Sequence, residues 1–399
     1  MVKPWDTATI GDFLEFKNGL NKGKEFFGYG TPIINYTDAY KKRGLQRADI
    51  RGRVYLTPDE IHRFDVRKND VFFTRTSETP DEVGMSSVLL EDVESGVFSG
   101  FVLRGRPKND MFVPEYCKYC FSTEAVRNAI ITGCTYTTRA LTNGKQLSAI
   151  EIPVPPKPEQ EAIAAALSDI DALIANLENL IAKKKAIKQG TMQELLTGKR
   201  RLPGFDEKWA DLIIGQNGYL LRETIDPQAY TSTLFWEYSM PAFDMGKDPV
   251  KTFGADMHSN RTVIHGSVLL FNKLNVRQKR IWLVEASESN SVCSSEFLPY
   301  YSDTIDLRLL AQLLSTEKIT KDFIGMSTGT SNSQKRITPK NFLEYSVYMP
   351  TDINEQAAIA DVLDDMDVEI AVLEKKLHKA QLMKAGMMSE LLAGRIRLI

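Results

Sequence analysis

One long segment of the sequence occurs twice. Residues 159–202 return about half a chain length later as residues 355–398, without gaps and with about half of the positions identical. The shared marks are an E-Q-x-A-I-A start and an E-L-L-x-G end. A repeat of this length restricts the fold to architectures that use one unit twice.

Each copy of the repeat has the signals of a long helix. The prolines of Pro155-Pro156-Lys157-Pro158 exclude a helix before them and suit a first helical turn. Gly198, followed by three basic residues, is typical of a helix end. The second copy has Asn354 where the first has Pro158, so its start is less sharply fixed. A helix of about 38 residues would be roughly 57 Å long.

Apolar residues recur in both helices at spacings of four and three, which indicates a heptad seam. The seam residues are Ile163, Leu167, Ile170, Ile174, Leu177, Ile181, Ile359, Leu363, Met366, Ile370, Leu373 and Leu377. One alternative is that each seam packs on its own domain. An uninterrupted heptad pattern favours a second helix as the partner, and the other copy is the obvious one.

A globular segment precedes each helix. Short apolar runs predict strands, and two longer stretches predict helices. The predicted strands are Thr31–Tyr36, Val71–Arg75, Val97–Leu103, Val268–Phe271 and Ile281–Val284, and the predicted helices are Pro114–Ile131 and Asp306–Leu314. The order of elements is the same in both segments, so we expect one framework with diverged surfaces. The predicted division is 1–150 (first globular domain), 151–202 (first helix), 203–345 (second globular domain) and 346–399 (second helix).

Composition sets the broad class. The 399 residues are 43% hydrophobic and 26% charged, as in a globular protein with two or three domains. The net charge of −2 weakens, without excluding, a nucleic-acid partner, because a sequence reader concentrates its cations in loops. No apolar run approaches the roughly 20 residues of a membrane span, and four cysteines are too few for a disulfide framework. We expect a cytoplasmic protein without a membrane partner.

The common catalytic signatures are absent. The sequence has no GxxxxGK[ST], GxGxxG, HExxH or GxSxG motif and no [ND]PP[YF] loop. Cys117 and Cys120 form a single CxxC without a second ligand pair, so two thiols on one helix face are expected rather than a zinc site. A binding protein without metal or catalytic residues is the favoured interpretation.

Four loops combine the residue types that contact DNA. Arg, Lys, Asn and Gln match base edges, while Ser, Thr and Tyr suit phosphates. The alternative for each loop is a solvated turn. The candidates of the first domain are Arg75, Thr76, Ser77, Tyr136, Thr137, Thr138, Arg139 and Lys145. Those of the second are Lys273, Asn275, Arg277, Lys279, Arg280, Thr328, Thr330, Ser331, Gln334, Lys335 and Arg336.

This layout resembles the specificity subunit of type I restriction-modification systems. The resemblance covers nearly the whole chain and rests on the two helix motifs and on the loop Gly329-Thr330-Ser331. It implies an α+β protein with two mixed α/β target-recognition domains, separated by two long helices that form an antiparallel coiled coil. Each domain would read one half of a bipartite, asymmetric site in double-stranded DNA.

The resemblance also implies partners and cofactors. The helices would dock two methyltransferase (modification) subunits, and restriction subunits can join the complex. S-adenosylmethionine would be bound by the methyltransferase, and ATP with Mg by the restriction subunits, so no cofactor is expected on this chain. Two other functions are weighed against this one. They are a non-catalytic scaffold that binds other polypeptides through its globular domains, and an enzyme with an unrecognised site.

Overall fold

The structure is a computed structural model that describes residues 4–329 and 334–398. Within these residues the chain forms two compact units. The first unit comprises the described part of Met1–Asn179 and of Glu374–Ile399, and the second comprises that of Leu180–Leu373. No helix in the described part of the chain has the length and apolar composition that a membrane crossing needs.

The first half of the chain alternates short strands with short helices. Its strands are β1 (Asp6–Thr9), β2 (Leu14–Asn18), β3 (Phe27–Ile34), β4 (Gly44–Leu45), β5 (Arg53–Val54), β6 (Val71–Thr74), β7 (Thr76–Ser77), β8 (Ser86–Leu89), β9 (Val97–Phe98), β10 (Val102–Pro107), β11 (Thr135–Tyr136), β12 (Ala140–Leu141) and β13 (Glu151–Val154). Its helices are α1 (Ile10–Phe13), α2 (Tyr36–Lys41), α3 (Pro58–Arg63), α4 (Pro114–Cys120), α5 (Glu124–Gly133), α6 (Gly144–Ser148) and the long α7 (Lys157–Leu195).

The second half repeats this alternation. Its strands are β14 (Trp209–Ile213), β15 (Tyr219–Leu220), β16 (Thr224–Ile225), β17 (Leu234–Tyr238), β18 (Val250–Phe253), β19 (Arg261–Val263), β20 (Val268–Asn272), β21 (Ile281–Val284), β22 (Ser291–Ser294), β23 (Phe297–Tyr301) and β24 (Ser346–Pro350). Its helices are α8 (Met240–Asp244), α9 (Leu307–Leu314), α10 (Glu317–Met326), α11 (Pro339–Leu343) and the long α12 (Ile353–Leu391).

The two globular parts share one strand framework. In the first, the strand order β2-β10-β6-β8 is antiparallel throughout, and in the second the order β15-β23-β20-β21 has the same pairings. A parallel pair also recurs, β3 with β9 and β17 with β22. Each part then continues with three helices, a strand and a long helix, and the first part inserts β11 and β12 between the second and third of these helices. The expectation of a shared framework is therefore confirmed.

Some predicted elements end earlier than the sequence indicated. The single strand expected over Val97–Leu103 is two strands, because Ser99 closes a turn in which its carbonyl accepts a hydrogen bond from the Val102 amide (3.0 Å). The helix expected over Pro114–Ile131 is broken into α4 and α5, since the Thr123 side chain caps a new helix start at the Val126 amide (3.2 Å). In both breaks a short polar side chain takes up a backbone hydrogen bond, since the Ser99 hydroxyl also accepts from the Phe101 amide (3.2 Å).

The two long helices have the predicted length and well-defined ends. Each has 39 residues, which is about 58 Å at 1.5 Å per residue. The start of α12 is as well defined as that of α7, contrary to the expectation from Asn354. The Asp352 carboxylate accepts a hydrogen bond from the Asn354 amide (2.8 Å) and caps α12, whereas α7 has no such side-chain cap among the described residues. Three residues after the C-terminal ends of α7 and α12, Gly198 and Gly394 adopt left-handed φ angles of 70° and 67°.

The first seam residues of each helix pack into the core of their own unit. Ile163 and Leu167 join a cluster that also contains Leu391 and Leu392 from the far end of α12. Ile359 and Leu363 join the equivalent cluster with the far end of α7. Packing on the domain and packing on the other helix therefore occur together. All other seam residues are buried or half-buried.

In each unit, an ion pair links the first half of one long helix to the last third of the other. In the first unit, Lys384 of α12 binds Asp171 of α7. In the second, Lys188 of α7 binds Asp367 of α12 (2.5 Å), which is the same pair of repeat positions with the helices exchanged.

The Glu–Gln pair that opens each long helix is buried and fully used. In the first unit, the Gln160 side chain accepts from the Val113 amide (2.9 Å) and donates to the Pro155 carbonyl (2.8 Å), which fixes α7 to its own domain. Glu159 accepts two bonds from Arg397 (2.6 and 2.7 Å) and one from the Trp5 indole (2.9 Å).

The second unit repeats this arrangement. Gln356 binds the Asp306 amide and the Pro350 carbonyl, while Glu355 accepts from Arg201 and from the Trp209 indole. The segment that follows one long helix thus supplies the arginine for the start of the other in both units.

Replacing Glu159 by Gln should destabilise the chain by about 1–3 kcal/mol at neutral pH, because the buried network loses its negative charge and one of its two acceptor oxygens to an NH2 group that cannot accept from Arg397 or Trp5. The hydrogen bonds from Arg397 lower the pKa of Glu159 below its ordinary value. The stabilisation is therefore complete above the usual carboxylate range and disappears as pH falls through the lowered pKa. Urea unfolding of both proteins across pH 2–7 measures the difference. Exposed Glu161→Gln is the control, and a pH-independent loss would contradict the assignment.

The glycines after the helices can be tested against those inside them. Gly198→Ala and Gly394→Ala should each lower the free energy of unfolding by about 1–2 kcal/mol, since the left-handed backbone disfavours a Cβ atom. Gly190 and Gly386 lie in open space on the helices, so their replacement by Ala should instead raise it by about 0.5–1 kcal/mol. Thermal unfolding of the four variants gives the sign of each change in the free energy of unfolding. The same sign for the glycines after the helices and for those within them would contradict this prediction.

Candidate nucleic-acid interface

In the first unit, a small sheet brings two of the predicted loops together. β12 pairs with β7 and with β11, in the order β11-β12-β7. The register places Ala140 opposite Ser77 and Tyr136 opposite Ala140. The candidates Thr76, Ser77 and Tyr136 therefore belong to one surface, although about 60 residues separate them along the chain.

A concavity of about 370 Å³ opens beside this sheet. Its lining includes the candidates Thr76, Ser77 and Arg139. It also includes four side chains that are not among the predicted candidates, namely Tyr36, Glu78, Glu82 and Phe101. Phe101 is 58% exposed, so its ring is accessible at the edge of the concavity.

Arg75 holds the loops of this surface in place. Its backbone N–H donates to the Phe101 carbonyl (3.0 Å), and its carbonyl accepts from the Thr142 amide (3.0 Å). The guanidinium reaches the Gly100 carbonyl at 3.5 Å, and its buried Nε has no partner among the described residues. Half-buried Arg75 is thus a positioning residue that holds the loops through its backbone and retains one buried, unsatisfied donor.

The remaining candidates of the first domain lie around this site. Thr137 and Thr138 are exposed in the turn between β11 and β12, where the Thr137 amide donates to the Arg139 carbonyl (3.4 Å). Lys145 is exposed on α6, a short helix whose start is capped by Asn143. Neither threonine nor Lys145 lines the concavity.

In the second unit, the other two predicted loops are joined by backbone hydrogen bonds. The Asn275 amide donates to the Lys335 carbonyl (2.8 Å), and the Ile337 amide donates to the Lys273 carbonyl (3.1 Å). Thr328 and Arg336 exchange two further bonds of 2.9 Å. The loops that the sequence placed at equivalent positions thus form one surface in each unit.

The backbone of the first of these loops is strained. Asn275 and Lys279 have left-handed φ angles of 51° and 47° on either side of a short 3-10 turn, Val276–Gln278. Asn tolerates this conformation, whereas Lys rarely adopts it. An ion pair between Lys279 and Glu317 accompanies the strain. Such over-determined turns are common where a side chain must be presented in one orientation.

The cations of the second domain divide into paired and unpaired groups. Arg280 binds Asp244 through two hydrogen bonds (2.7 and 2.8 Å), and Arg336 binds Glu296 through two of 3.1 Å. The Lys273 ammonium donates to the Ser295 carbonyl (2.7 Å). Arg277 is exposed and has no side-chain partner in residues 4–329 and 334–398. It is the candidate whose donors are most available to a ligand.

Several candidates remain untested by these contacts. Thr330 and Ser331 lie outside the described residues, as does part of the loop that carries the family resemblance. Gln334 is exposed, and Lys335 is half-buried beside Asn275. The assignment of individual candidates to DNA contact stays a prediction.

The described residues hold no obvious metal or thiol chemistry. No group of three or more His, Cys, Asp or Glu side chains in the described ranges is placed to bind a metal ion. Cys117 and Cys120 are free thiols on α4, both in the hydrophobic core, and burial raises the pKa of Cys120. The expectation of two structural thiols on one helix is confirmed.

Comparison with known proteins identifies the class. Residues 2–189 match the family model of the type I restriction modification DNA specificity domain. The sequence is 23% identical to the type I restriction enzyme MjaVIII specificity subunit of Methanocaldococcus jannaschii, over 98% of this chain and 93% of that protein.

Solved structures share the fold. The S subunit of a type I restriction-modification system from M. genitalium has a TM-score of 0.61 at 14% identity and covers 97% of this chain and 96% of its own. A chain from a study of complex assembly and conformational transition of the type I system has a TM-score of 0.53 at 13% identity, with 98% of each chain covered.

The first half of the chain is thus a DNA specificity domain. Over nearly its whole length the chain is also similar to a type I restriction enzyme specificity subunit, at 23% identity.

The paired and unpaired arginines of the second domain should differ in their effect on folding. Arg280→Ala removes a bidentate ion pair and should lower Tm by a few degrees, about what a loss near 1 kcal/mol produces in a domain of this size. Arg277→Ala should leave Tm unchanged, because its side chain contacts solvent. Differential scanning fluorimetry of the two variants makes the comparison. Equal losses would show that Arg277 has a structural partner.

Proposed function

We propose that this specificity subunit reads a bipartite DNA site, with one half-site for each globular domain, and that its long helices dock two methyltransferase subunits. The observation that carries the proposal is that one framework is built twice with different loops at equivalent places. Equal frameworks present their loops in equal ways, so different loops imply different targets. A DNA-recognition subunit of this family needs no catalytic residues of its own.

The loop chemistry supports DNA as the ligand. Each unit gathers hydroxyl, amide and guanidinium groups on one surface, and these groups bind phosphates and base edges. Arg139 in the first unit and Arg277 in the second are exposed and have no ion-pair partner among the described residues. A positively charged side chain kept free of local carboxylates retains its full attraction for DNA.

The long helices support protein partners. Large apolar side chains stay exposed along both of them, away from the seam, and such residues mark interaction surfaces when they cluster. They are Leu173, Leu180 and Ile187 on α7, and Val368, Val372, Leu382 and Met383 on α12. Ile187 and Met383 occupy the same repeat position, so the two helices share one exposed apolar contact point, while the other exposed apolar positions differ between the two copies.

The partners would supply the chemistry. S-adenosylmethionine would be bound by the methyltransferase subunits, and ATP with Mg by restriction subunits that join the complex, in the cytoplasm. One solved structure that shares this fold comes from a study of complex assembly in the type I system. Similarity of fold makes such an assembly a reasonable expectation for this chain.

Selection of duplexes from a random library by the complex of this chain with its methyltransferase tests the proposal. We expect two short motifs separated by a fixed spacer. Arg277→Ala should weaken or relax one motif by about 1–3 kcal/mol and leave the other unchanged. Exposed Arg222→Ala, outside both loops of the second unit, is the matched control. Failure of the unaltered complex to enrich any motif would refute the proposal.

Salt dependence separates DNA reading from a protein-scaffold function. Binding through phosphates weakens steeply as salt rises, because counterions are released. Binding of another polypeptide to the same loops through apolar contacts would change little. A flat salt response together with no enriched motif would favour the scaffold.

A further inference from the structure

Two opposite charges in the first unit face the same concavity without pairing. Glu78 follows β7 directly, and Arg139 precedes β12 directly. Since Ser77 lies opposite Ala140, the antiparallel register continues to place Glu78 opposite Arg139. Both line the concavity of about 370 Å³, yet neither forms an ion pair or a side-chain hydrogen bond within the described ranges. Side chains of opposite charge that face each other across two strands ordinarily form an ion pair. Because Glu78 and Arg139 do not, both charges remain available to a ligand.

Among the other described side chains that line the concavity, Glu82 is the one that carries a charge. Glu82 also lines it, but its carboxylate already accepts hydrogen bonds from Tyr40 (2.7 Å) and Ser77 (3.2 Å). Phe101 projects from the turn between β9 and β10 with 58% of its surface exposed. The charged groups left free to meet a ligand are therefore the Arg139 guanidinium and the Glu78 carboxylate, beside the hydroxyls of Tyr36 and Thr76 and an exposed aromatic ring.

We propose that this concavity receives the major-groove edge of one G·C base pair, with Arg139 bound to guanine and Glu78 bound to cytosine. Guanine offers two acceptors, O6 and N7, that match the guanidinium fork, and cytosine offers the N4 amino group as a donor to a carboxylate. Unpaired Arg139 beside unpaired Glu78 presents donors next to acceptors, and this order complements the acceptors of guanine and the donor of cytosine. The inference rests on the proposed function and specifies one contact within it.

The carboxylate argues for a base edge rather than a phosphate. Glu78 repels a phosphate group, so a site that bound only the DNA backbone would be weakened by its presence. Opposite a cytosine amino group the same charge is favourable, and opposite an acceptor it is unfavourable. Glu78 would consequently contribute to discrimination more than to affinity.

The test uses the complete complex and duplex selection, with Glu78→Gln, Glu78→Ala, Arg139→Lys and Arg139→Ala. We expect one invariant G·C pair in the half-site of the first domain. Arg139→Lys should reduce the preference for guanine there by about tenfold or more, because Lys lacks the bidentate fork. Glu78→Ala should relax the preference for that pair while overall binding is kept or tightened. The half-site of the second domain reports on correct folding in every variant.

Matched controls are Arg51→Ala and Glu94→Ala, which are exposed on the same unit and do not line the concavity. If the unaltered complex enriches no motif, the proposed function fails and this inference fails with it. If a bipartite motif appears but the Glu78 and Arg139 variants keep every base preference, the function stands and this inference is overturned. A uniform loss at all positions of the first half-site, with both conservative variants behaving as the alanine ones, assigns the two residues to phosphate binding or folding and also overturns it.

Discussion

The buried glutamate and glutamine at the start of each long helix set the arrangement of each unit. A buried carboxylate and amide are tolerated only when their hydrogen-bonding groups are satisfied. Gln160 is satisfied by the backbone of its own domain, and Glu159 by Arg397 and Trp5. Residues distant in sequence are therefore obliged to meet at one helical turn. The same requirement, met by equivalent residues, shapes the second unit.

On this fixed base the two globular parts differ where a ligand would meet them. The first presents an open concavity with an unpaired Glu and Arg, whereas the second presents a strained turn whose neighbouring cations are mostly paired with carboxylates. Paired cations hold the turn in shape and leave Arg277 to project from it. Stability and recognition are thus assigned to different side chains of one basic loop.

The sequence predicted the features that are encoded locally and repeated. Proline, heptad spacing and Gly198 predicted the length of the long helices to within a residue or two, although the assigned segments 151–202 and 346–399 extend beyond both helices, and strand and loop positions followed from short apolar runs. It missed the breaks at Ser99 and Thr123, because a side chain that caps a neighbouring backbone group looks like any other polar residue. Phe101 and Glu78 were missed as well. Their part in the concavity depends on strand register, which no single segment encodes.

The division of the chain into units has a consequence for the order of events on the ribosome. The second unit is one continuous stretch, Leu180–Leu373, and has all its residues once that stretch has emerged. The first unit holds most of its residues from the beginning but needs Arg397 and Leu391 to complete its core and its buried network. Synthesis from the N-terminus therefore lets the later-made unit finish first. Until Arg397 has been synthesised, Glu159 lacks its arginine partner, and the unit made earlier is the one exposed to misfolding.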